Sequence, residues 1–294
     1  MLKTEAPSLH HTSLDQYTAT DLVNALIEDQ TNAVNAVRAA SGQLALAVTS
    51  SVPRLEAGGR LIYVGAGTSG RLGLLDSVEL YPTFSWPRER AVALLAGGQD
   101  AILQAIEGAE DKRDQGAADL IATAVGPNDV VIVLAASGTT PYALGALAAA
   151  RSAGALTIGI ANNPDSPVAC EAEIGITLDT GAEMISGSTR LKAGTAQKIA
   201  LNTFSSAVMV RLNKIYGNLM VDLKPTNAKL KRRAVNLTML ATGTDEATAR
   251  ETLGACDFHV KVAIVAIAKT IGVAAATARL AAANGNVRKA IAGC

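Results

Sequence analysis

Five short runs of apolar, almost charge-free residues recur through the middle of this chain, and no other feature constrains its fold as strongly. They are Leu61-Ile62-Tyr63-Val64, Ala91-Val92-Ala93-Leu94-Leu95, Val130-Val131-Ile132-Val133-Leu134, Leu156-Thr157-Ile158-Gly159-Ile160 and Ile174-Gly175-Ile176-Thr177-Leu178. Each has the length of a strand and carries apolar side chains at successive positions, so both of its faces must be covered. Between most of them lie stretches of helical character, Gly70 to Leu80, Ala101 to Thr123 and Pro141 to Ala153. Strands buried on two faces and joined through helices predict an α/β fold with a doubly wound parallel sheet. A long helix from about Thr189 to Tyr216 closes this region.

The flanks read differently. From Asp21 to Ala57, apolar residues at helical spacing (Leu22, Ala25, Leu26, Val34, Val37, Leu44) predict two N-terminal helices. After Pro225 the strand signals stop, and short helices are punctuated by Gly243, Gly254, Gly272 and Gly285. Within this tail Ala249, Leu253, Val260, Ala263 and Ile264 recur 27 positions later as Ala276, Leu280, Val287, Ala290 and Ile291, a faint internal repeat. The expected organisation is an N-terminal helical segment over 1–52, the α/β domain over 53–217 and a small C-terminal helical domain over 225–294. With 49% hydrophobic but only 3% aromatic residues, the core must be built from Ala, Val, Leu and Ile.

Charge excludes several function classes. Lys+Arg 26 balance Asp+Glu 26, so no overall field draws the chain to nucleic acid or to an anionic membrane, and any anion must be bound locally. No charge-free apolar run approaches the ~18 residues of a membrane span, and the start, Met1-Leu2-Lys3-Thr4-Glu5, has no leader character. A soluble cytoplasmic protein is expected. Cys170, Cys256 and Cys294 are far apart, and His10, His11 and His259 do not cluster with them; no metal site, disulfide or cofactor is implied.

In an open parallel sheet the ligand lies outside the carboxyl ends of the strands. Two such ends carry matching chemistry: Gly65-Ala66-Gly67-Thr68-Ser69-Gly70 and Ala135-Ala136-Ser137-Gly138-Thr139-Thr140. Both are small, rich in hydroxyls and followed by a helix. Free amides at a helix start, a favourable macrodipole and Ser/Thr donors make a phosphate site without any lysine. The Gly65-x-Gly67-x-x-Gly70 spacing also fits a dinucleotide fingerprint, but the acidic residue expected at the end of the second strand is replaced by Ala96-Gly97-Gly98.

The hydroxyl-loop pair resembles the sugar isomerase (SIS) domain. The longer strings "GAGTSGRLGLLDSVE", "AIEGAED", "AASGTTPY", "GSTRLKAGTAQK" and "GNLMVDLKPTNAKL" resemble the N-acetylmuramic acid 6-phosphate etherase family over nearly the whole chain. The resemblance implies a SIS-fold lyase, working as a homodimer, that cleaves a phosphosugar's lactyl ether to N-acetylglucosamine 6-phosphate and D-lactate in cell-wall sugar recycling. It implies phosphate or substrate binding by Thr68, Ser69, Ser137, Gly138, Thr140, Glu183 and Lys192. Acid-base work falls on Glu79 and Glu110. The N-terminal segment keeps the family's Thr-Glu, whereas Leu80-Tyr81-Pro82-Thr83 stands where Cys-Pro-Pro-Thr is usual, which leaves a related 3-O-substituted hexosamine phosphate open as substrate. An aldose-ketose phosphosugar isomerase and a non-catalytic phosphosugar sensor, like the related glucokinase regulatory protein, are the alternative functions.

The reaction needs two acid-base groups. In the ring-opened aldehyde the proton on carbon 2 is acidic, its removal lets lactate leave from carbon 3, and water then adds there. Glu110 is assigned the carbon proton and Glu79 the leaving group and water. By position alone, these residues have plainer roles. Glu79 falls near the end of a helix before Pro82, and Glu110 is one of several acids (Glu107, Asp111, Asp114) expected on a solvated helix face. Arg190 and Lys192 fall at a helix start, where a cation opposes the dipole and calls for a ligand or a carboxylate partner; Glu183 meets sugar hydroxyls or pairs with Arg190. Lys261 is expected on a solvated face and His259 on the surface.

Overall fold

A computed structural model of the chain describes residues 2–225 and 227–293; Cys294 lies outside them. By packing, the chain divides into two units: residues to Val78 together with Arg88–Ser206, and Glu79–Pro87 together with the chain from Ala207 onward.

The first unit opens with a 3-10 turn, Lys3–Glu5, and the helices α1 (Ala19–Ala39) and α2 (Ser41–Glu56). There follow β1 (Leu61–Gly65), α3 (Gly67–Phe84), β2 (Ala91–Leu95), α4 (Asp100–Leu103), α5 (Arg113–Ala122), β3 (Val130–Ala135), α6 (Pro141–Ser152), β4 (Leu156–Ala161), α7 (Pro167–Glu171), β5 (Ile174–Thr177) and α8 (Lys192–Arg211), the last turns of α3 and α8 belonging to the second unit. The five strands form one sheet in the order β2-β1-β3-β4-β5, every pair parallel. Every residue of β1, β3 and β4 is buried, as strands covered on both faces require. The edge strands β2 and β5 are only partly so. Ile62, Val64, Val131 and Val133 of the sheet pack with Leu120 of α5 and Tyr142, Leu144 and Leu147 of α6 in one core. The doubly wound α/β fold read from the strand pattern is the fold of the chain.

The chain passes from β1 outward to β2, but from β3 the other way through β4 to β5. Neighbouring strands β1 and β3 therefore flank the switch point, where the crossovers leave a crevice. Register sets Gly65 beside Leu134, so the loops leaving the two strands start at the same level.

Two helical expectations need correction. The stretch Ala101 to Thr123 is not one helix: it stops at Leu103, runs through turns and resumes at Arg113, because Gln104 is extended and Gly108 takes a left-handed φ of 67°. Helix α3 does not end at Leu80 but continues through Pro82 to Phe84, giving up the one hydrogen bond that proline cannot donate.

The second unit is helical, with α9 (Ala228–Thr242), α10 (Glu246–Ala255), α11 (Val260–Lys269), α12 (Val273–Ala282) and α13 (Val287–Ala292). The 27-residue offset corresponds to two helix-turn-helix pairs, α10–α11 and α12–α13. Its matched residues Ala249 and Ala276, Val260 and Val287, and Ala263 and Ala290 are buried in the same core. Lys261 is not on a solvated face. It is buried, and its Nζ lies 2.9 Å from Asp222 Oδ2; burial lowers its pKa against the pull of that carboxylate. His259 is exposed, as expected. Among the described residues no single helix is long and apolar enough to cross a membrane; α11 and α12 pass together by length and composition, but bend by 108° at their junction.

Candidate active site

Both hydroxyl loops open into one cavity of about 390 Å³ at the carboxyl ends of β1 and β3, a size suited to a small ligand. Thr68 and Ser69 enter from the first turn of α3, and Ser137, Thr139 and Thr140 from the loop before α6. Thr140 is the N-cap residue of α6, but its side chain makes no capping bond, which leaves the hydroxyl for a ligand. Ser137 Oγ accepts from the Thr139 N–H at 3.1 Å and lies 3.2 Å from the Thr139 hydroxyl, so the loop is folded on itself before anything binds. Helices of 18 and 12 residues start at this one place, and their positive ends suit an anion. Among the described residues no lysine or arginine lines the cavity.

Gly138 shapes the second loop from behind. Its φ is +74°, and a Cβ there would stand 2.2 Å from Ser166 Oγ and 3.0 Å from Ala161 Cβ. Both the backbone conformation and the lack of space therefore call for glycine.

Glu110 also lines this cavity, next to Asp111. It lies on the turn that divides α4 from α5, not on a helix face, and two sets of contacts fix that turn. Arg71 of α3 donates from Nε to Ala101 O at 3.0 Å and from Nη2 to Gln104 O at 3.1 Å, closing the end of α4. The Tyr142 N–H donates to Glu110 O at 2.9 Å, which ties the turn to the start of α6. Helices α5 and α6 come close enough for this because they cross at glycines: a Cβ on Gly116 would stand 1.9 Å from Tyr142 O, and one on Gly145 1.9 Å from Arg113 O.

Other residues selected from the sequence lie elsewhere. Glu79 is exposed and does not line the cavity. It follows Thr68 by eleven residues on α3. Glu183 is buried without pairing with Arg190. Its Oε1 accepts from the Ala193 N–H at 2.9 Å and its Oε2 from the Lys192 N–H at 3.2 Å, so it closes the N-terminus of α8. Burial raises its pKa, while these two N–H groups and the Lys192 charge oppose the rise. Lys192 has the carboxylate partner that its place at a helix start calls for: Nζ lies 2.7 Å from Asp29 Oδ1, both side chains largely buried. It lines a different cavity, together with His10 and His11.

Two further features carry little signal in the sequence. Asp76, buried on α3, accepts from the Tyr63 hydroxyl at 2.8 Å, Asn202 Nδ2 at 2.7 Å and the Ser205 hydroxyl at 3.1 Å, which fixes α3 against β1 and α8. Its only signal is a lone carboxylate among apolar helix positions. Glu5, the third carboxylate of the cavity, can be noticed beforehand only through the Thr-Glu pair that the family resemblance shares.

Comparisons with known proteins identify the family. Residues 40–151 match the glucokinase regulatory protein N-terminal SIS domain, and residues 112–207 the SIS domain. A protein of Deinococcus radiodurans named N-acetylmuramic acid 6-phosphate etherase is 55% identical over 98% of this chain and 95% of its own length. Proteins of the same name from Mycolicibacterium smegmatis (46% identical, 99% of this chain, 97% of that one) and Pectobacterium atrosepticum (47%, 96% and 93%) are also similar. With two hydroxyl loops and a carboxylate in one crevice, and with likeness of this extent from end to end, the chain belongs to the N-acetylmuramic acid 6-phosphate etherase family of SIS-domain proteins.

Proposed function

We propose that this chain is a carbon–oxygen lyase of the cytoplasm that takes N-acetylmuramic acid 6-phosphate and releases N-acetylglucosamine 6-phosphate and D-lactate. The observation that carries the reading is the meeting of Glu110 with both hydroxyl loops in one cavity. The loops and the two helix starts hold the phosphate, which leaves the sugar chain directed toward the carboxylates. In the open-chain aldehyde Glu110 takes the proton from carbon 2, and the electron pair passes to the aldehyde oxygen as an enolate. The pair returns to expel lactate from carbon 3, its oxygen receiving a proton from Glu79. Water then adds to carbon 3 and a proton returns to carbon 2, so that one water is consumed for each ether cleaved.

Glu79 does this from a second copy of the chain. A symmetric homodimer in which each chain offers Glu79 to its partner's loops brings both carboxylates to one substrate. The test combines two assays. Purified chain should release lactate from N-acetylmuramic acid 6-phosphate and should not interconvert fructose 6-phosphate with glucose 6-phosphate; interconversion without lactate would overturn the reading in favour of an isomerase. Mixing Glu79→Gln with Glu110→Gln chains under subunit exchange should restore about a quarter of wild-type activity through random pairing. Activity no higher than that of the two variants alone would refute the shared site.

A further inference from the structure

Thr4 is wholly buried. Its N–H donates to Asn163 Oδ1 at 3.2 Å, and its hydroxyl accepts from Asn163 Nδ2 at 2.9 Å. The same Nδ2 lies 3.0 Å from Ala136 O and 3.3 Å from Ser137 O. Asn163, itself buried just beyond β4, thus fastens the N-terminal 3-10 turn directly to the second hydroxyl loop. Lys3 strengthens the attachment with an ion pair of 2.6 Å to Asp179. The residue that this arrangement delivers to the cavity is Glu5. Its Oε2 lies over Gly187, where an added Cβ would be 3.2 Å away, and among the described residues it has no ion-pair partner.

We propose that Glu5 is a substrate-contacting residue of this site, whose carboxylate accepts hydrogen bonds from the hydroxyl and amide donors of an N-acylated hexosamine 6-phosphate, and that Thr4 and Asn163 are the positioning residues that hold it there. The inference rests on the phosphosugar reading of the cavity. A carboxylate is repelled by the phosphate itself, so Glu5 selects for the sugar attached to it: a ligand with O–H and N–H groups gains bonds that a bare phosphate cannot make. Because Asn163 joins the turn to Ala136 and Ser137, phosphate binding and sugar recognition share one rigid support.

The full chain is titrated calorimetrically with N-acetylglucosamine 6-phosphate and, separately, with inorganic phosphate, and lactate release is followed in parallel. Glu5→Ala should weaken sugar phosphate binding about tenfold or more and leave inorganic phosphate within about twofold. Glu5→Gln, which keeps an acceptor oxygen, should recover part of the loss, and Thr4→Val should show the same pattern in milder form. Unchanged sugar affinity in Glu5→Ala, or a parallel loss for inorganic phosphate, would overturn the proposal. A chain whose sugar binding depends on Glu5 but which releases no lactate would overturn the lyase reading and keep this one. Lactate release at wild-type kcat/KM in Glu5→Ala would do the reverse, and a wild-type chain that bound neither ligand would overturn both.

Discussion

Gly145→Ala is a single methyl added far from any reacting atom, and it should cost this enzyme most of its rate. The new Cβ would stand 1.9 Å from Arg113 O, where contacts below 3.0 Å are essentially never seen, so the first turn of α5 has to move by about 1.1 Å from α6. Arg113 follows Glu110 by three residues, and Glu110 O is bonded to the Tyr142 N–H on α6. The displacement therefore passes into the turn that carries Glu110, the proposed base. A misplacement of about 1 Å costs on the order of a hundredfold in rate, whereas overpacking of this kind costs about 1–3 kcal/mol of stability, a fall in Tm of roughly 2–10 °C. The assay is lactate release under saturating substrate, with binding of N-acetylglucosamine 6-phosphate measured beside it. Binding should change only a few-fold, since the hydroxyl loops follow β1 and β3. A variant with lowered Tm but kcat within about threefold of wild type would refute the claim that the glycine crossing of α5 and α6 sets the place of Glu110.

The same geometry sets other outcomes. If the loops hold the phosphate as proposed, Ser69→Ala and Ser137→Ala each remove a hydrogen bond to it, of about 1.5–3 kcal/mol, so kcat/KM should fall about tenfold to a hundredfold; unphosphorylated N-acetylmuramic acid reacting as well as the phosphate ester would contradict this. Glu110→Gln should abolish deuterium exchange from solvent into carbon 2 of N-acetylglucosamine 6-phosphate and Glu79→Gln should retain it, each losing about a hundredfold or more in lactate release; exchange lost only in Glu79→Gln would reverse the roles. Asp129 is buried, and although burial pushes its carboxyl up, the bonds from the Arg60 side chain, from the backbone N–H groups of Gly126 and Arg60, and the Arg60 charge hold it below the ordinary value. Its contribution is present above the unfolded carboxylate pKa and is lost as pH falls through the folded one. Asp129→Asn should thus lower stability at pH 7 by roughly 1–3 kcal/mol, with the gap to wild type closing below about pH 4 in denaturant titrations.

The sheet is legible because burial on both faces writes itself into sequence as unbroken apolar runs, and the Ser/Thr loops are legible because a phosphate cradle needs small residues at a helix start. The N-terminal and tail helices emerge from apolar spacing for the same reason. Other features depend on partners distant in sequence. Ile102, Leu103 and Ile106 suggest a continuing helix, and only the left-handed turn at Gly108 shows that Glu110 stands on a bend. Glu183 reads as a sugar ligand or an ion-pair partner until its oxygens are seen on the amides of α8. Lys261 reads as solvated because its partner, Asp222, is 39 residues away. Glu5 is marked only by the Thr-Glu pair shared with the family, and its place in the cavity depends on Thr4 meeting Asn163, 159 positions on.

The central claim is elimination and then hydration at a phosphosugar held between the two loops, and one labelling experiment tests it most directly. Wild-type chain is incubated with N-acetylmuramic acid 6-phosphate once in water enriched in oxygen-18 and once in deuterium oxide, and both products are weighed by mass spectrometry. Elimination and hydration predict unlabelled lactate, oxygen-18 on carbon 3 of N-acetylglucosamine 6-phosphate and deuterium on carbon 2. Oxygen-18 in the lactate, a carbon 2 that keeps its original hydrogen, or no lactate at all would contradict the claim.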